Sequence, residues 1–407
     1  MSLTLSKQAT GEIDEPQAAP AGDLTASRWQ PAAAFAALLL LAFAYHASYL
    51  TARWWISDES GYMVAVQMVR DGRSPYDHPP YLGTPAFACA CAWAAGWIGL
   101  HPVAFTIRVL NVVATAVVAW IASGWVRSTP HIRIATAVLV LFVASPLLDA
   151  LGAGNISPIV NALTLIVLLS WRRHPVAAGL ALGLGLVIKP YALLLMPVLF
   201  AARLERTTRA HLIAPLTAGA VFLAALLAYP SELWRMLAQH ESFDLGLRSM
   251  SLQRPLYCLL GWAPTTTTIL VAVTLVAVIH VRLRPRSDEE VAHLAVLACI
   301  LGLTRIWLHT LTPALPLICV LLADRTRGLV AAWQGPAGNR KRALMDLFGS
   351  VALVVILFNC DTWVCMTILY SDLPRWADGL FALVPLAALL TLFRLGLTCE
   401  KSKRTAA

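Results

Sequence analysis

The chain has 407 residues, of which 58% are hydrophobic and only 13% charged. A soluble domain is roughly half apolar and about a quarter charged, so a water-soluble enzyme, a disordered chain, a fibrous repeat and a disulfide scaffold are excluded. The 31 Lys and Arg against 22 Asp and Glu leave a net charge of +9. Most of those basic residues sit in short clusters between apolar runs, which is the positive-inside pattern of a membrane protein and not the footprint of a nucleic-acid partner. The class these proportions predict is an all-α polytopic membrane protein.

Residues 1–28 are polar and carry Glu12, Asp14, Glu15 and Asp23. They are too acidic for a signal peptide and are expected to form a disordered cytoplasmic tail. A first apolar run, 31–50, is long enough to span. Further runs follow at about 83–100, 103–126, 133–149, 155–171, 176–201, 212–229, 265–282, 291–323, 347–369 and 377–397. Basic clusters separate them at Arg127/Arg133, Arg172/Arg173, Arg203 to Arg209, Arg282 to Arg286, Arg325 to Arg342 and Lys401 to Arg404. If every cluster faces the cytoplasm, an even number of crossings separates each pair. That parity makes 133–171 a hairpin with Asp149 to Asn155 at its outer tip. It turns 176–201 back at Lys189-Pro190, where proline breaks a helix, and turns 291–323 back around Arg305 to Pro313. The halves of the last two hairpins are short, about 13 residues or 20 Å each. Run 83–100 then stays on the outer side. The expected layout is about 12 membrane segments within a single domain, 29–397, and a cytoplasmic tail, 398–407. Residues 51–102 form a first external loop with juxtamembrane helices, and 230–264 a second.

The eight cysteines lie mostly in or beside apolar stretches and read as inert thiols. A Cys360–Cys365 bridge is awkward within one helix. Neither a zinc-binding spacing nor a Walker A loop nor a dinucleotide fingerprint is present, so no metal and no cofactor is expected, and the chemistry is expected on the outer face.

The first loop places Asp58 and Glu59 about eight residues after the first membrane helix. Tyr62, Val66 and Val69 follow at helical spacing and Gly72 ends that helix. A carboxylate at the membrane boundary suits a general base for a hydroxyl acceptor. The plainer reading has Ser57 as N-cap and both acids complementing the helix dipole. Lys189 interrupts G-L-A-L-G-L-G-L-V-I-K-P-Y. An ionisable group inside such a run either serves a phosphate or snorkels to the interface. Arg305 and His309 stand at i, i+4 and share a helix face, with Trp307 between them. Such a set binds a lipid phosphate with the indole stacked on a sugar or prenyl chain, or forms a structural interfacial cluster. In the polar segment 240–254, Arg248, Gln253 and Arg254 either close over a donor head group or belong to an amphipathic surface loop. Asp149 and Asn155 flank L-G-A-G, either as acceptor-orienting groups or, more simply, as turn and helix cap.

These elements resemble, in order and spacing, the membrane-embedded C-type-fold glycosyltransferases. The similarity is greatest to the bacterial polyprenol-phosphate-sugar-dependent family 87, which includes mannosyl- and arabinofuranosyltransferases. The carriers are D-E-S-G-Y then D-G-R-S-P-Y (58–76), Tyr81 to Pro85, G-N-I-S-P (154–158), A-A-G-L-A-L-G-L-G-L-V-I-K-P-Y (177–191) and the W-x-H of 307–309. They cover about 50–325. The resemblance implies a C-type fold and inverting transfer from a polyprenyl-phosphate sugar, with Asp58 as base and no nucleotide. It also implies a multi-pass protein of the bacterial cytoplasmic membrane with its site facing the exterior. Lys189, Arg305, His309 and Arg254 are the expected donor-phosphate ligands. Glu59, Tyr62, Tyr76, Asn155, Trp307 and Gln253 are the expected substrate contacts. The expected partners are the lipid-linked sugar, a lipid or glycan acceptor and membrane lipids. The chain departs from the family at Asn155, where Gly-Gln is usual, and at Thr304-Arg305, where Ser-Pro is frequent. A lipid-linked-sugar flippase and a non-catalytic polysaccharide-assembly subunit remain the alternatives. Transporters commonly carry inverted repeats, and no internal repeat is evident here.

Overall fold

Proline and glycine punctuate a sequence otherwise rich in helix formers, and the helices start and stop at that punctuation. The computed structural model describes residues 24–405 except 53–56, 78–80, 82, 127–128, 204–209, 243–250, 263, 284–285, 304–307 and 360–373. Among the described residues there is no strand. The first helices are α1 (Leu24–Tyr45), α2 (Ala47–Thr51), α3 (Ser57–Arg70), α4 (Pro85–Ile98) and α5 (Leu100–Gly124). Then come α6 (Pro130–Val143), α7 (Ser145–Gly152), α8 (Ser157–Ser170), α9 (Pro175–Ile188) and, after a 3-10 turn at Pro190–Leu194, α10 (Leu195–Ala201). The second half has α11 (Ala210–Leu227), α12 (Pro230–Ser242), α13 (Gln253–Leu260), α14 (Thr266–Arg282) and α15 (Asp288–Gly302). A 3-10 helix (Leu308–Ala314), α16 (Leu315–Trp333), α17 (Ala337–Phe358) and α18 (Arg375–Thr405) follow. Pro85, Pro130, Pro146, Pro158, Pro175 and Pro190 each sit in the first two positions of a helix. There the missing N–H costs nothing and the fixed φ is already helical.

That punctuation decides how much of the expected topology consists of full-length spans. Among the described residues two helices are long and apolar enough to cross a bilayer, Leu100–Gly124 and Arg375–Thr398. Two bent pairs bring the number to four: Pro130–Val143 with Ser145–Gly152 at 44°, and His211–Leu227 with Pro230–Gln239 at 102°. Six further apolar helices have 10–17 residues. A helix of 14 residues is only about 21 Å long, against a hydrocarbon core of about 30 Å. The outer surface is nonetheless apolar. Leu40, Leu216, Val276 and Phe348 are 60–71% exposed, an arrangement that water penalises and lipid does not.

Helices α8 and α9 pack side by side in opposite directions and mark two ends of the bundle. Helix α8 runs away from Ser157 and α9 returns to Lys189. At the far end Arg172 donates to Asp288 at 2.6 Å, in the first turn of α15. That turn is closed by a reciprocal cap between Ser287 and Glu290. At the near end, α3, α4 and the start of α5 enclose a small core of their own around Met63, Val66, Tyr81, Ala92 and Ile107, separate from the main core. The two segments expected as external loops meet here. The Ser74 hydroxyl donates to Glu232, and Arg235 donates to Asp77 at 2.7 Å, so the D-G-R-S-P-Y-D segment is tied to α12.

Helices α9 and α11 approach most closely at Gly179 and Gly183. A Cβ on Gly179 would lie 2.5 Å from the Thr217 Cβ and 2.6 Å from the Ala214 carbonyl oxygen; on Gly183 it would lie 2.7 Å from the Val221 Cβ. This four-residue spacing of small residues lets two backbones touch and sets where the end of α9 stands. Gly179→Ala is expected to destabilise by about 1–3 kcal/mol through overpacking, read as a lower thermal midpoint of the purified protein in detergent. Gly328→Ala in α16, where nothing lies within 4 Å of an added Cβ, is the matched control and is expected to hold or raise that midpoint.

Candidate active site

Three helix breaks converge at the near end: the start of α3, the turn between α7 and α8, and the end of α9. The middle one organises the other two. Gly154 has φ +70°, which only glycine adopts without strain. It closes α7 with a doubly bonded turn, its own N–H to Leu151 O (3.0 Å) and the Asn155 N–H to Ala150 O (2.8 Å). The chain then starts α8 through the Asn155 side chain, whose Oδ1 accepts from the Ser157 N–H (2.9 Å) and the Ser157 hydroxyl (2.5 Å). The same doubly bonded turn ends α3. Gly72 has φ +72°, its N–H reaches Val69 O, and the Arg73 N–H reaches Met68 O at 2.9 Å.

Asp58 stands at the start of α3. Its backbone N–H donates to Ala153 O at 2.8 Å, so one exposed donor of that helix end is satisfied by the α7–α8 turn. Ser57, expected as N-cap, is the first helical residue. The Asp58 carboxylate is half-buried and its Oδ2 accepts from Asn155 Nδ2 at 2.6 Å. On the other side of the same amide, Lys189 Nζ donates to Asn155 Oδ1 at 3.3 Å and to Ser157 Oγ at 3.4 Å. Lys189 points there because Pro190 excludes the helical conformation from the residue before it. Its backbone is extended, φ −155° and ψ 117°, and its N–H still closes the last turn of α9 on Gly185. Tyr191 lies behind it, its hydroxyl on Ser157 O at 3.3 Å and on Asn161 Oδ1, its ring 5.9 Å from the ammonium. Thr84 ties the start of α4 to the end of α9: its hydroxyl donates to Val187 O and accepts from the Phe87 N–H.

The remaining expected residues fall into other surroundings. Glu59 is 2% exposed and forms a two-pronged ion pair with Arg108 of α5, Nε–Oε1 2.8 Å and Nη2–Oε2 2.7 Å. Arg108 also donates to Ala52 O at 2.6 Å. Adjacent residues on a helix point about 100° apart, so the two acids of D-E go to different partners. Tyr62 is buried edge-on against Tyr81, 6.3 Å between ring centres. Burial, with the charge of Asp58 adding to it, pushes the Tyr62 phenol far above its ordinary range, so it is neutral. Tyr76 donates to Gly83 O at 2.9 Å and packs on Tyr81. Arg254, 3% exposed, pairs with Asp378 in the first turn of α18. Gln253 donates to Pro264 O at 2.5 Å. Among the described residues, no hydrogen bond joins either of them to the Asn155 cluster. Arg305 and Trp307 lie outside the described residues. His309 belongs to the 3-10 helix Leu308–Ala314, which packs on α7 and α8, the two helices whose junction holds Asn155.

Sequence reasoning passed over Arg108 and Asn111. The signal was available: L-H-P-V-A-F-T-I-R-V-L-N-V-V sets a guanidinium and an amide inside an apolar run, where each needs a partner. Asn111 donates to Tyr49 OH and to Asn155 O, both at 3.1 Å, and so holds the backbone of the turn.

Residues 81–310 match Glycosyltransferase family 87. That is more than half of the chain, and the chain belongs to this family. The match contains Asn155, Ser157 and Lys189 and begins downstream of Asp58. No curated protein matches the chain.

The Glu59–Arg108 pair generates a stability prediction. Arg108→Met strands a buried carboxylate and is expected to cost about 3–5 kcal/mol. Replacing both partners by Met is expected to recover much of that loss, because a buried pair repays its desolvation poorly. Thermal midpoints of the two variants in detergent check this; a double variant no more stable than the single one would show that the cost of Arg108→Met does not come from the stranded Glu59 carboxylate.

Proposed function

We propose that this family 87 member transfers a sugar, mannose or arabinofuranose, from a polyprenyl-phosphate donor to a hydroxyl of a lipid or glycan acceptor, with inversion, at the outer face of a bacterial cytoplasmic membrane. The observation that carries the reading is a carboxylate and an ammonium held on opposite ends of one buried amide, at the end of an apolar bundle. An acceptor hydroxyl is a weak nucleophile at neutral pH, and a phosphate-monoester leaving group needs little protonation. One base and one cation are therefore the minimum machinery. Asp58 takes the hydroxyl proton as the acceptor oxygen attacks the anomeric carbon from the face opposite the phosphate. The bond from that carbon to the phosphate oxygen breaks, and the polyprenyl phosphate leaves with the electron pair. Lys189 offsets the charge gathering on it.

Two further features support a lipid-borne donor. Lys189 makes long contacts, 3.3 and 3.4 Å, and an ammonium with three donors so loosely held can take a phosphate oxygen. A cavity of about 650 Å³ lined by Leu139, Val143, Leu322, Val355 and Phe358 opens between α6, α16 and α17 and reaches Ser145 at the start of α7. It is apolar and of a size for part of a prenyl chain. In this reading α3, α4 and α12 lie at the outer interface, with the exposed indoles of Trp93, Trp97 and Trp234 at the depth where Trp is favoured. The apolar helices, short ones included, make up about twelve segments with both termini cytoplasmic.

The test is incubation of the purified protein with a panel of polyprenyl-phosphate sugars and lipid extract, followed by mass spectrometry of the products. Asp58→Asn is expected to lower turnover by about 10²-fold or more while donor binding survives. Lys189→Ala is expected to raise the donor KM, lower kcat, or both, by roughly 10- to 150-fold in kcat/KM. An Asp58→Asn variant with more than a tenth of normal turnover would remove Asp58 as base. A wild-type protein that moves lipid-linked sugar across vesicles without forming product would instead be a flippase.

A further inference from the structure

Asn155 is 3% exposed and held from every side. Its N–H bonds Ala150 O, its carbonyl oxygen accepts from Asn111, and its Oδ1 accepts from both donors of Ser157. The orientation of its amide is therefore determined. Turned over, it would set an NH2 against the Ser157 N–H and the Lys189 ammonium and an oxygen against the Asp58 carboxylate, so that these contacts would turn repulsive. Asp58 and Lys189 form no ion pair with each other among the described residues, although both bond to this one side chain. Among the described residues, Tyr62 on the same helix also feels the charge of Asp58, and the adjacent Glu59 is paired with Arg108 between α3 and α5.

We infer that Asn155 is a positioning residue that keeps base and phosphate-binding cation apart while aiming both at one substrate. Its Nδ2 occupies Asp58 Oδ2, which fixes the carboxylate rotamer and leaves Oδ1 for the acceptor hydroxyl. Its Oδ1 holds the ammonium weakly enough for a phosphate to replace that contact. Without a spacer, an ammonium and a carboxylate at such range collapse into a salt bridge. That bridge consumes both groups: the base loses its basicity and the cation its vacancy for phosphate. The amide bonds to each without neutralising either. The inference rests on the proposed roles of Asp58 and Lys189 and goes beyond them, because it gives Asn155 no contact with substrate.

Three variants test it, measured as kcat, donor KM and the pH dependence of kcat/KM, with monodispersity and thermal midpoint as the check on folding. Asn155→Gln keeps an amide and is expected to retain the wild-type pH profile with a modest loss of rate. Asn155→Asp puts a second carboxylate against Asp58, where two acids share a proton. The acid limb is expected to move to higher pH by about one unit or more, with a raised donor KM because the new charge occupies Lys189. Asn155→Ala removes the spacer, and kcat is expected to fall while donor KM rises, each by roughly tenfold or more. A merely structural role would reduce the active fraction and move neither the pH limb nor KM. A folded Asp variant with the wild-type acid limb, or an Ala variant with the wild-type donor KM, overturns the inference; if the Asp variant does not fold, the Ala variant decides alone. Asp58→Asn is run alongside. If it stays active, the base assignment fails and this inference with it; if it is inactive while the Asn155 variants keep normal KM and pH profile, only this inference fails.

Discussion

Opposite charges a few ångströms apart in a poorly solvated place attract strongly, and a site that needs both of them ionised and available has to stop them meeting. In the proposed reading that constraint bears on the near end of this bundle, where Asp58 and Lys189 both bond to Asn155. A carboxylate and an ammonium can each be satisfied by a neutral amide, which presents a donor to one and an acceptor to the other. A neutral spacer must itself be immobile, because a rotating amide would exchange its ends. The hydrogen bonds on Asn155 from Ser157 and Asn111, and its own to Ala150, meet that requirement. The turn between α7 and α8 thus has a part to play beyond linking two helices.

The rest of the fold puts that turn where the charges are. None of the three groups lies in the middle of a helix: Asp58 starts α3, Asn155 precedes α8, and Lys189 follows α9. Helix breaks leave backbone donors and acceptors unsatisfied, and in an apolar bundle those must find partners within the protein. The breaks here satisfy one another. Ala153 O takes the Asp58 N–H, Val187 O takes the Thr84 hydroxyl, and Asn155 O takes the Asn111 amide. A cluster of mutually capped ends forms a small polar island, and polar side chains can gather there without the cost they would meet along a lipid-facing helix. The glycines at 179 and 183 serve the same end at a distance, since the closeness of α9 to α11 decides where Lys189 emerges.

Much of this was legible in the chain. The all-helical class, the break at Lys189-Pro190, the end of α3 at Gly72 and the corner at Asn155 follow from rules about apolar runs, proline and glycine that act over a few residues. Asp58, Asn155 and Lys189 could each be picked out as a candidate for similarly local reasons. Their convergence could not, because three positions separated by 97 and 34 residues meet only through the packing of α3, α8 and α9. Arg254 and Glu59 show the same limit. Both are expected ligands as charges near a boundary, and each also engages a partner within the protein, Asp378 and Arg108, that lies 124 and 49 residues away. Local sequence reports that a charge needs a partner but does not say whether that partner is a ligand or a distant helix. Prolines also divide several apolar stretches into helices of 10–17 residues, so among the described residues two to four helices are long enough to cross alone, and in the proposed layout the shorter apolar helices account for the other expected segments.

With Asp58 as the proposed base, it and the neighbouring Glu59 let one local feature serve stability and chemistry together. A base must be accessible and able to change charge, whereas a structural ion pair must be dry and constant. Successive residues on a helix diverge by about 100°, so a single turn meets both demands. Glu59 faces inward, and with Arg108 it binds α3 to α5 and to the chain at Ala52. Asp58 faces the α7–α8 turn. Because α3 is held at this end by Glu59 and by its own N–H on Ala153, the Asp58 carboxylate is placed by a rigid element and not by a loop. The ties between Asp77 and Arg235, both partly exposed, are of a weaker kind, and they join the D-G-R-S-P-Y-D segment to α12. The exposed Asp77–Arg235 tie is therefore easier to break than the buried Glu59–Arg108 pair that holds α3.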